Sequence, residues 1–136
     1  MYKTILVPID MAHIAEGKAI LDVAAKQADP GAKIILLNVI EEIPTWAAAE
    51  IPSDIIERSR ENVRSEIEGI AKASGMKMDT EIRSGHASNT ILEVANERGA
   101  DLIIIASHRP GLQDYFLGST ASKVVRHAKC SVLVVR

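Results

Sequence analysis

The sequence predicts an α/β fold, an open five-stranded parallel sheet with helices on both faces, built as one domain over residues 1–136. Two features predict it. Apolar runs such as TILVPI at 4–9, KIILLNVI at 33–40 and DLIIIA at 101–106 are nearly unbroken, the mark of strands buried on both faces, whereas a half-solvated strand alternates. Between successive runs lie segments with apolar residues at helical spacing, and such alternation is the pattern of parallel strands joined by right-handed helical crossovers.

The first strand, at 4–9, carries Pro8 near its C-terminal end, and Asp10 leaves it. Residues 15–28 place Ala19, Ile20, Val23, Ala24 and Gln27 at helical spacing, and Asp29-Pro30-Gly31 terminates that helix. The second strand follows at 33–40. From Glu41 to Pro52, two prolines and the lack of a period predict a loop or loosely ordered segment, with Trp46 inside it. Ser53-Asp54 opens a long helix, with Glu57 three residues beyond Asp54 in a capping arrangement. Ile55, Ile56, Val63, Ile67, Ile70 and Ala71 share one face of it, and Arg58, Arg60, Glu61, Arg64 and Glu68 lie largely on the other, a solvated face. Gly75 ends the helix, and Lys77–Arg83 alternates as an edge-like third strand. Ser84-Gly85-His86 turns into a helix carrying Ile91, Leu92, Val94 and Ala95, stopped by Gly99. The fourth strand is 102–106, the last helix 119–129 and the fifth strand 131–136.

Composition narrows the function. A net charge of -2 lacks the basic excess that binding to a phosphate backbone needs, and 3% aromatic residues leave few platforms for stacking bases, so nucleic acid is disfavoured. The one cysteine, Cys130, makes no internal disulfide and reads as a small buried hydrophobe. No run approaches membrane-spanning length, and the N-terminal apolar run is too short for a signal peptide, so no membrane partner is expected and the location expected is cytoplasmic. His13, His86, His108 and His127 are scattered without cysteines at ligand spacing, which argues against zinc. Neither a Gly-x-x-x-x-Gly-Lys loop nor a Gly-x-Gly-x-x-Gly fingerprint is present. A Ser119–His108–Asp10 triad lacks the nucleophile elbow that would support it.

The stretch Asp101–Thr120 organises the chain. Its buried strand stops at Ser107, His108 and Arg109, Pro110-Gly111 marks a turn, and Gly118-Ser119-Thr120 opens the last helix. A strand, a polar loop, a glycine and a helix N-terminus together present N–H groups and a positive dipole end to an anion, most often a phosphate. In open parallel sheets ligands sit beyond the strand C-termini where strand order reverses. If the first and fourth strands flank that point, Asp10 and the 107–120 stretch face one crevice.

The chain resembles the universal stress protein family over essentially its whole length. The resemblance rests on ILVPID at the start, Asn38-Val39, the block GADLIIIASHR from Gly99 to Arg109, LGST at 117–120 and the ending HAKCSVLVVR. It implies an adenine-nucleotide α-hydrolase-like sheet with strand order 3-2-1-4-5, a stress-response role and dimerisation; the family has nucleotide-binding and non-binding branches. Its nucleotide signature has two glycines after the fourth strand and a third followed by Ser or Thr. Here Ala106 and Arg109 stand at the first two glycine positions, and the spacing from Arg109 to Gly118 is one residue short. Glycine lets backbone approach phosphate, which Ala tolerates in part and Arg less well. The Ser-His-Arg-Pro version resembles a branch in which nucleotide binding accompanies the altered loop, with the Arg109 guanidinium as a direct phosphate contact.

Carried over residue by residue, the resemblance puts Asp10 and Val39 at the adenine and ribose end, with Pro8 and Ile9 shaping the wall. Ala106, Ser107, His108, Arg109, Gly118, Ser119 and Thr120 take the phosphate side. Asp10 alternatively caps the following helix, Ser119 and Thr120 alternatively cap the last one, and His108 fits a structural loop role. Two function classes follow. One is a protein that binds ATP or another adenine nucleotide, with or without Mg, and with at most slow ATP hydrolysis or autophosphorylation. The other is a dimeric interaction module with no nucleotide and a degenerate phosphate loop. In both, an apolar last strand, 131–136, pairs with its copy to form a homodimer.

Overall fold

The computed structural model describes the backbone of residues 1–11, 14–107 and 118–136, and their side chains apart from those of 14–16. Along the chain come β1 (Tyr2–Pro8), α1 (Ile14–Gln27), β2 (Ala28–Ile40), α2 (Thr45–Ala48), α3 (Ser53–Ala73), β3 (Met78–Ser84), α4 (Ala87–Arg98), β4 (Leu102–Ala106), α5 (Ser119–His127) and β5 (Ser131–Val135). The strands form one parallel sheet in the order β3-β2-β1-β4-β5, as expected.

Strand residues alternate between two cores, which is why the apolar runs are continuous. Ile5, Val7, Ile34, Leu36 and Ile104 meet Ile20, Leu21 and Ala24 of α1 and Ile67 and Ile70 of α3. Leu6, Ile35, Leu37, Ile103 and Ile105 point the other way, onto Ile91, Val94 and Ala95 of α4 and Ala121 and Val124 of α5. β1 and β4 are fastened at their starts by Asp101, whose carboxylate accepts from the Lys3 and Thr4 amides, each at 2.9 Å. Burial pushes the Asp101 carboxyl up, but these N–H groups and its own outweigh it and hold it below the ordinary aspartate value.

Several local expectations are corrected. Asp29-Pro30-Gly31 does not lie outside a strand: β2 starts at Ala28, paired with Tyr2, and the next pair is Thr4 with Lys33, so the intervening residues bulge. Gly31, at φ 80°, supplies the left-handed conformation there. The α1 face is rotated from the expected one, with Leu21 buried and Ala19 exposed. The 41–52 segment contains the one-turn helix α2. No side chain caps α3, whose N-cap is Pro52, so the Asp54–Glu57 capping arrangement is not formed; Asp54 faces the helix dipole in the first turn instead. Ile67 and Ile70 are buried, yet Ile55 on the same helix is 52% exposed.

The edge strand β3 carries a ladder of charges. Arg98 of α4 pairs with Glu81 at 2.9 Å and Asp79 at 2.6 Å, Arg83 pairs with Glu81 at 2.6 Å and Glu97 at 2.5 Å, and Lys33 reaches Asp79 at 3.5 Å. The opposite edge, β5, presents Val132, Leu133, Val134 and Val135, all half-buried.

Candidate functional site

A cavity of about 250 Å³ opens beyond the C-terminal ends of β1, β2 and β4. Its position follows from the strand order, since β1 leads through α1 to β2 on one side and β4 lies on the other, leaving a cleft between their exits. From β1 and its exit come Pro8, Ile9 and Asp10, and from β2 and its exit Val39 and Glu41. β4 gives Ile105 and Ala106, α4 gives Ala87 and Ile91, and α5 gives Thr120. Ile91 and Ile105, buried in the core below, make an apolar floor.

Hydrogen bonds set each wall. Ile9 extends the β1 ladder by donating its N–H to the Leu37 carbonyl at 2.8 Å. Asn38, buried, donates Nδ2 to the Ile9 carbonyl at 3.0 Å, so the chain bearing Asp10 is tied to β2 twice. Gly17 of α1 sits so close to this exit that a Cβ there would lie 3.2 Å from Ile9 Cγ2. On the β4 side the Ser107 N–H donates to the Val135 carbonyl at 2.9 Å, and the Ser107 hydroxyl accepts from the Gly118 N–H at 3.3 Å. This second bond draws the start of α5 onto the exit of β4. On the α4 side the Gly85 N–H donates to the Ile40 carbonyl at 2.9 Å, and Glu41 Oε1 accepts from the Ala87 N–H at 3.3 Å.

Of the residues expected from sequence, Pro8, Ile9, Asp10, Val39, Ala106 and Thr120 line the cavity. Ser107 and Gly118 stand beside it, joined to each other, and Ser119 is exposed. His108 and Arg109 lie outside the described residues. The N-cap of α5 is Gly118, with no side-chain cap, so Ser119 and Thr120 occupy the first helical turn and do not cap it. Glu41, Ala87, Ile91 and Ile105 were not expected. Ile91 and Ile105 belong to the core periodicity, Ala87 is the first residue after the turn that opens α4, and Glu41 directly follows the second apolar run, so position beyond a strand end was the signal available for it.

The charge of the lining is one-sided. Asp10 and Glu41 are exposed acids at the mouth, and among the described lining residues there is no Lys, Arg or His. No group of three or more His, Cys, Asp and Glu able to hold a metal occurs among the described residues. Within them no helix is long and apolar enough to cross a membrane.

A model described as the universal stress protein family matches residues 1–136. Universal stress protein G of Salmonella typhimurium is 31% identical over 143 residues, with 100% of each chain covered. Among solved structures, the hypothetical protein MJ0577 aligns with a TM-score of 0.79 at 31% identity, covering 99% of this chain and 96% of that one. A universal stress protein in complex with cAMP aligns with a TM-score of 0.65 at 24% identity, covering 99% and 97%.

Proposed function

Because the chain belongs to the universal stress protein family, we propose that it binds an adenine nucleotide in the cavity at the C-terminal ends of β1 and β4. The observation that carries this reading is the lining itself, an apolar slot over Ile91 and Ile105, walled by Pro8, Ile9, Val39 and Ala106, and ending at the first turn of α5. A flat base suits the apolar slot, and a phosphate suits the uncapped N-terminus of α5 at Gly118, Ser119 and Thr120. Asp10 stands where a ribose would offer hydroxyl donors. Arg109 follows Ser107 in sequence, and its guanidinium is the phosphate partner the shortened loop suggests. The cAMP complex of a related protein is in keeping with this, although at that distance the likeness carries the fold and not the ligand. Magnesium, if it accompanies a triphosphate, is held by the phosphates and water, because Asp10 and Glu41 alone do not make a cation cage.

Calorimetric titration with ATP, ADP and AMP tests the reading. Saturable heat with at least one of them is expected. No heat and no competition at millimolar ligand would overturn it in favour of the interaction module.

The homodimer through β5 is a second part of the proposal. β5 is a sheet edge whose consecutive apolar residues are only half-buried, and an edge of that kind is seldom left open to water. A two-fold axis would pair it with itself. A cytoplasmic setting completes the reading, in keeping with the unpaired thiol of Cys130.

A further inference from the structure

A second hollow, of about 480 Å³, lies beside the first at the same end of the sheet, and Glu41 lines both. It opens between the exit of β2 and the first turns of α3, and its walls are mainly aliphatic, with Ile43, Ile51, Ile55, Ile56 and Val63 among them. Around it the chain leaves apolar surface in water. Ile43 is 42% exposed, Ile55 52% and Trp46 77%, three of the five large hydrophobic residues that are exposed among those described. Trp46 stands on α2, which buries none of its residues although its Ala48 walls the hollow. Grouped apolar exposure of this kind marks an interaction site, whereas single exposed residues do not.

The charge of the segment chooses the occupant. From Glu41 to Glu57 the chain carries five acids, Glu41, Glu42, Glu50, Asp54 and Glu57, and no Lys, Arg or His. All five are exposed; Glu41 and Glu42 line the groove, and each of the others adjoins one of its residues in sequence. The one cation among the described lining residues, Arg60, is turned onto the Ser84 hydroxyl at 2.8 Å. An apolar groove under a negative field recruits a cationic partner. A second copy related by a two-fold axis would set the five acids against the same five, and an anionic lipid surface would be repelled. A small apolar ligand would fill the hollow and leave Trp46 uncovered.

We propose that this groove docks a basic amphipathic helix of a partner protein, the apolar face of that helix seated in the hollow and its lysines or arginines facing the acids of 41–57. A helix offers apolar residues along one side at i, i+3, i+4 and i+7, with cations on its flanks, and an apolar groove with an acidic border is their complement. Trp46 and Ile55 are the anchors, since binding energy concentrates in a few large side chains that lose water on contact. The acids speed the encounter and make it sensitive to salt. Nothing in this depends on the nucleotide reading.

Trp46 is the only tryptophan in the chain, so the emission of the intact protein reports from the edge of the groove. The probes are two tryptophan-free synthetic peptides of roughly 14 residues, about four helical turns. One has leucine on one helical face and lysine on the other; its counterpart has glutamate for each lysine. The lysine peptide should give a saturable blue shift of Trp46 emission that weakens as salt is raised, and the glutamate peptide should give none. Ile55→Ser should weaken the lysine peptide about tenfold, and Trp46→Ala should do the same when binding is followed by the anisotropy of labelled peptide. The double variant Glu42→Lys, Glu50→Lys should weaken it about tenfold and admit the glutamate peptide. These positions are exposed, and circular dichroism checks that each variant is folded. No saturable shift with the lysine peptide would overturn the proposal. Unchanged affinity in both Ile55→Ser and Trp46→Ala would overturn it too, leaving charge adhesion without a groove. A blue shift that grows with protein concentration alone would give the patch to a second copy, and a shift with vesicles of phosphatidylcholine and phosphatidylglycerol but not with the lysine peptide would give it to a membrane; either result overturns the partner helix.

Discussion

Replacing Gly85 with alanine should cost the fold about 2–6 kcal/mol, the sum of two separable penalties. Gly85 joins β3 to α4 with φ at 150°, a conformation that L side chains rarely adopt, and forcing one there costs roughly 1–3 kcal/mol. The added Cβ would also stand 2.7 Å from Thr90 Oγ1. Thr90 is only 5% exposed, so it has little room to turn away, and overpacking of this kind costs roughly 1–3 kcal/mol more. Against a net stability of about 5–15 kcal/mol for a domain of this kind, the loss is large. Urea unfolding followed by circular dichroism would measure it, with Thr90→Ala and the double variant completing a cycle. Thr90→Ala removes the overlap and leaves the backbone strain, so the double variant should be more stable than additivity predicts by about 1–3 kcal/mol. A Gly85→Ala protein within about 0.5 kcal/mol of wild type, or strict additivity in the cycle, would refute the reasoning. On the proposed nucleotide reading, a folded Gly85→Ala should also weaken AMP binding, because the same turn sets the Ala87 and Glu41 rim.

Asp101→Asn should lower stability by about 1 kcal/mol near pH 7, below the usual worth of a charge-assisted hydrogen bond because the group is half-exposed. The native Asp101 carboxyl is held below its ordinary value, so its contribution is complete above about pH 4 and fades as pH falls through the native value; urea unfolding should show the gap to Asp101→Asn closing in acid, and a constant gap would refute the charge-based account. Val134→Lys should shift the species seen by analytical ultracentrifugation from dimer to monomer, and a folded wild type that sediments as a monomer at high micromolar concentration would end the β5 pairing.

The parallel sheet and the helix alternation were legible because burial on both faces leaves unbroken apolar runs, which are hard to mistake for solvated strands, whereas the strand order came only with the family resemblance. Gly99 was legible for a different reason: it ends α4 at φ 64°, a left-handed conformation that favours glycine. Asp29-Pro30-Gly31 misled because its turn chemistry is real, yet β1 pairs with the chain on both sides of it, and pairing across the sheet decides where a strand begins. Asp54 and Glu57 had the right spacing for a cap, but the backbone enters α3 through Pro52, two residues before Asp54, too early for them to serve. The site was half legible. Asp10 and Thr120 were named from a strand end and a helix start and Val39 from the family resemblance, whereas Glu41 lay in a segment with no period to locate it. Its position depends on α4 returning to the exit of β2, a long-range event that no local pattern records.

The two edges of the sheet differ in a way that limits growth. A ribbon made by adding copies side by side needs β5 of each molecule to meet β3 of the next, and such head-to-tail contacts lead to open fibres. Here that junction would bring a row of valine and leucine against a ladder of carboxylates and guanidiniums already satisfied by α4, so the apolar edge would gain little and the charges would lose water. Whatever partner β5 takes, β3 offers no second docking edge from which a chain of molecules could continue. On the proposed pairing of β5 with its copy, association would stop at a closed pair, and crowding the protein would raise the number of pairs without lengthening them into filaments.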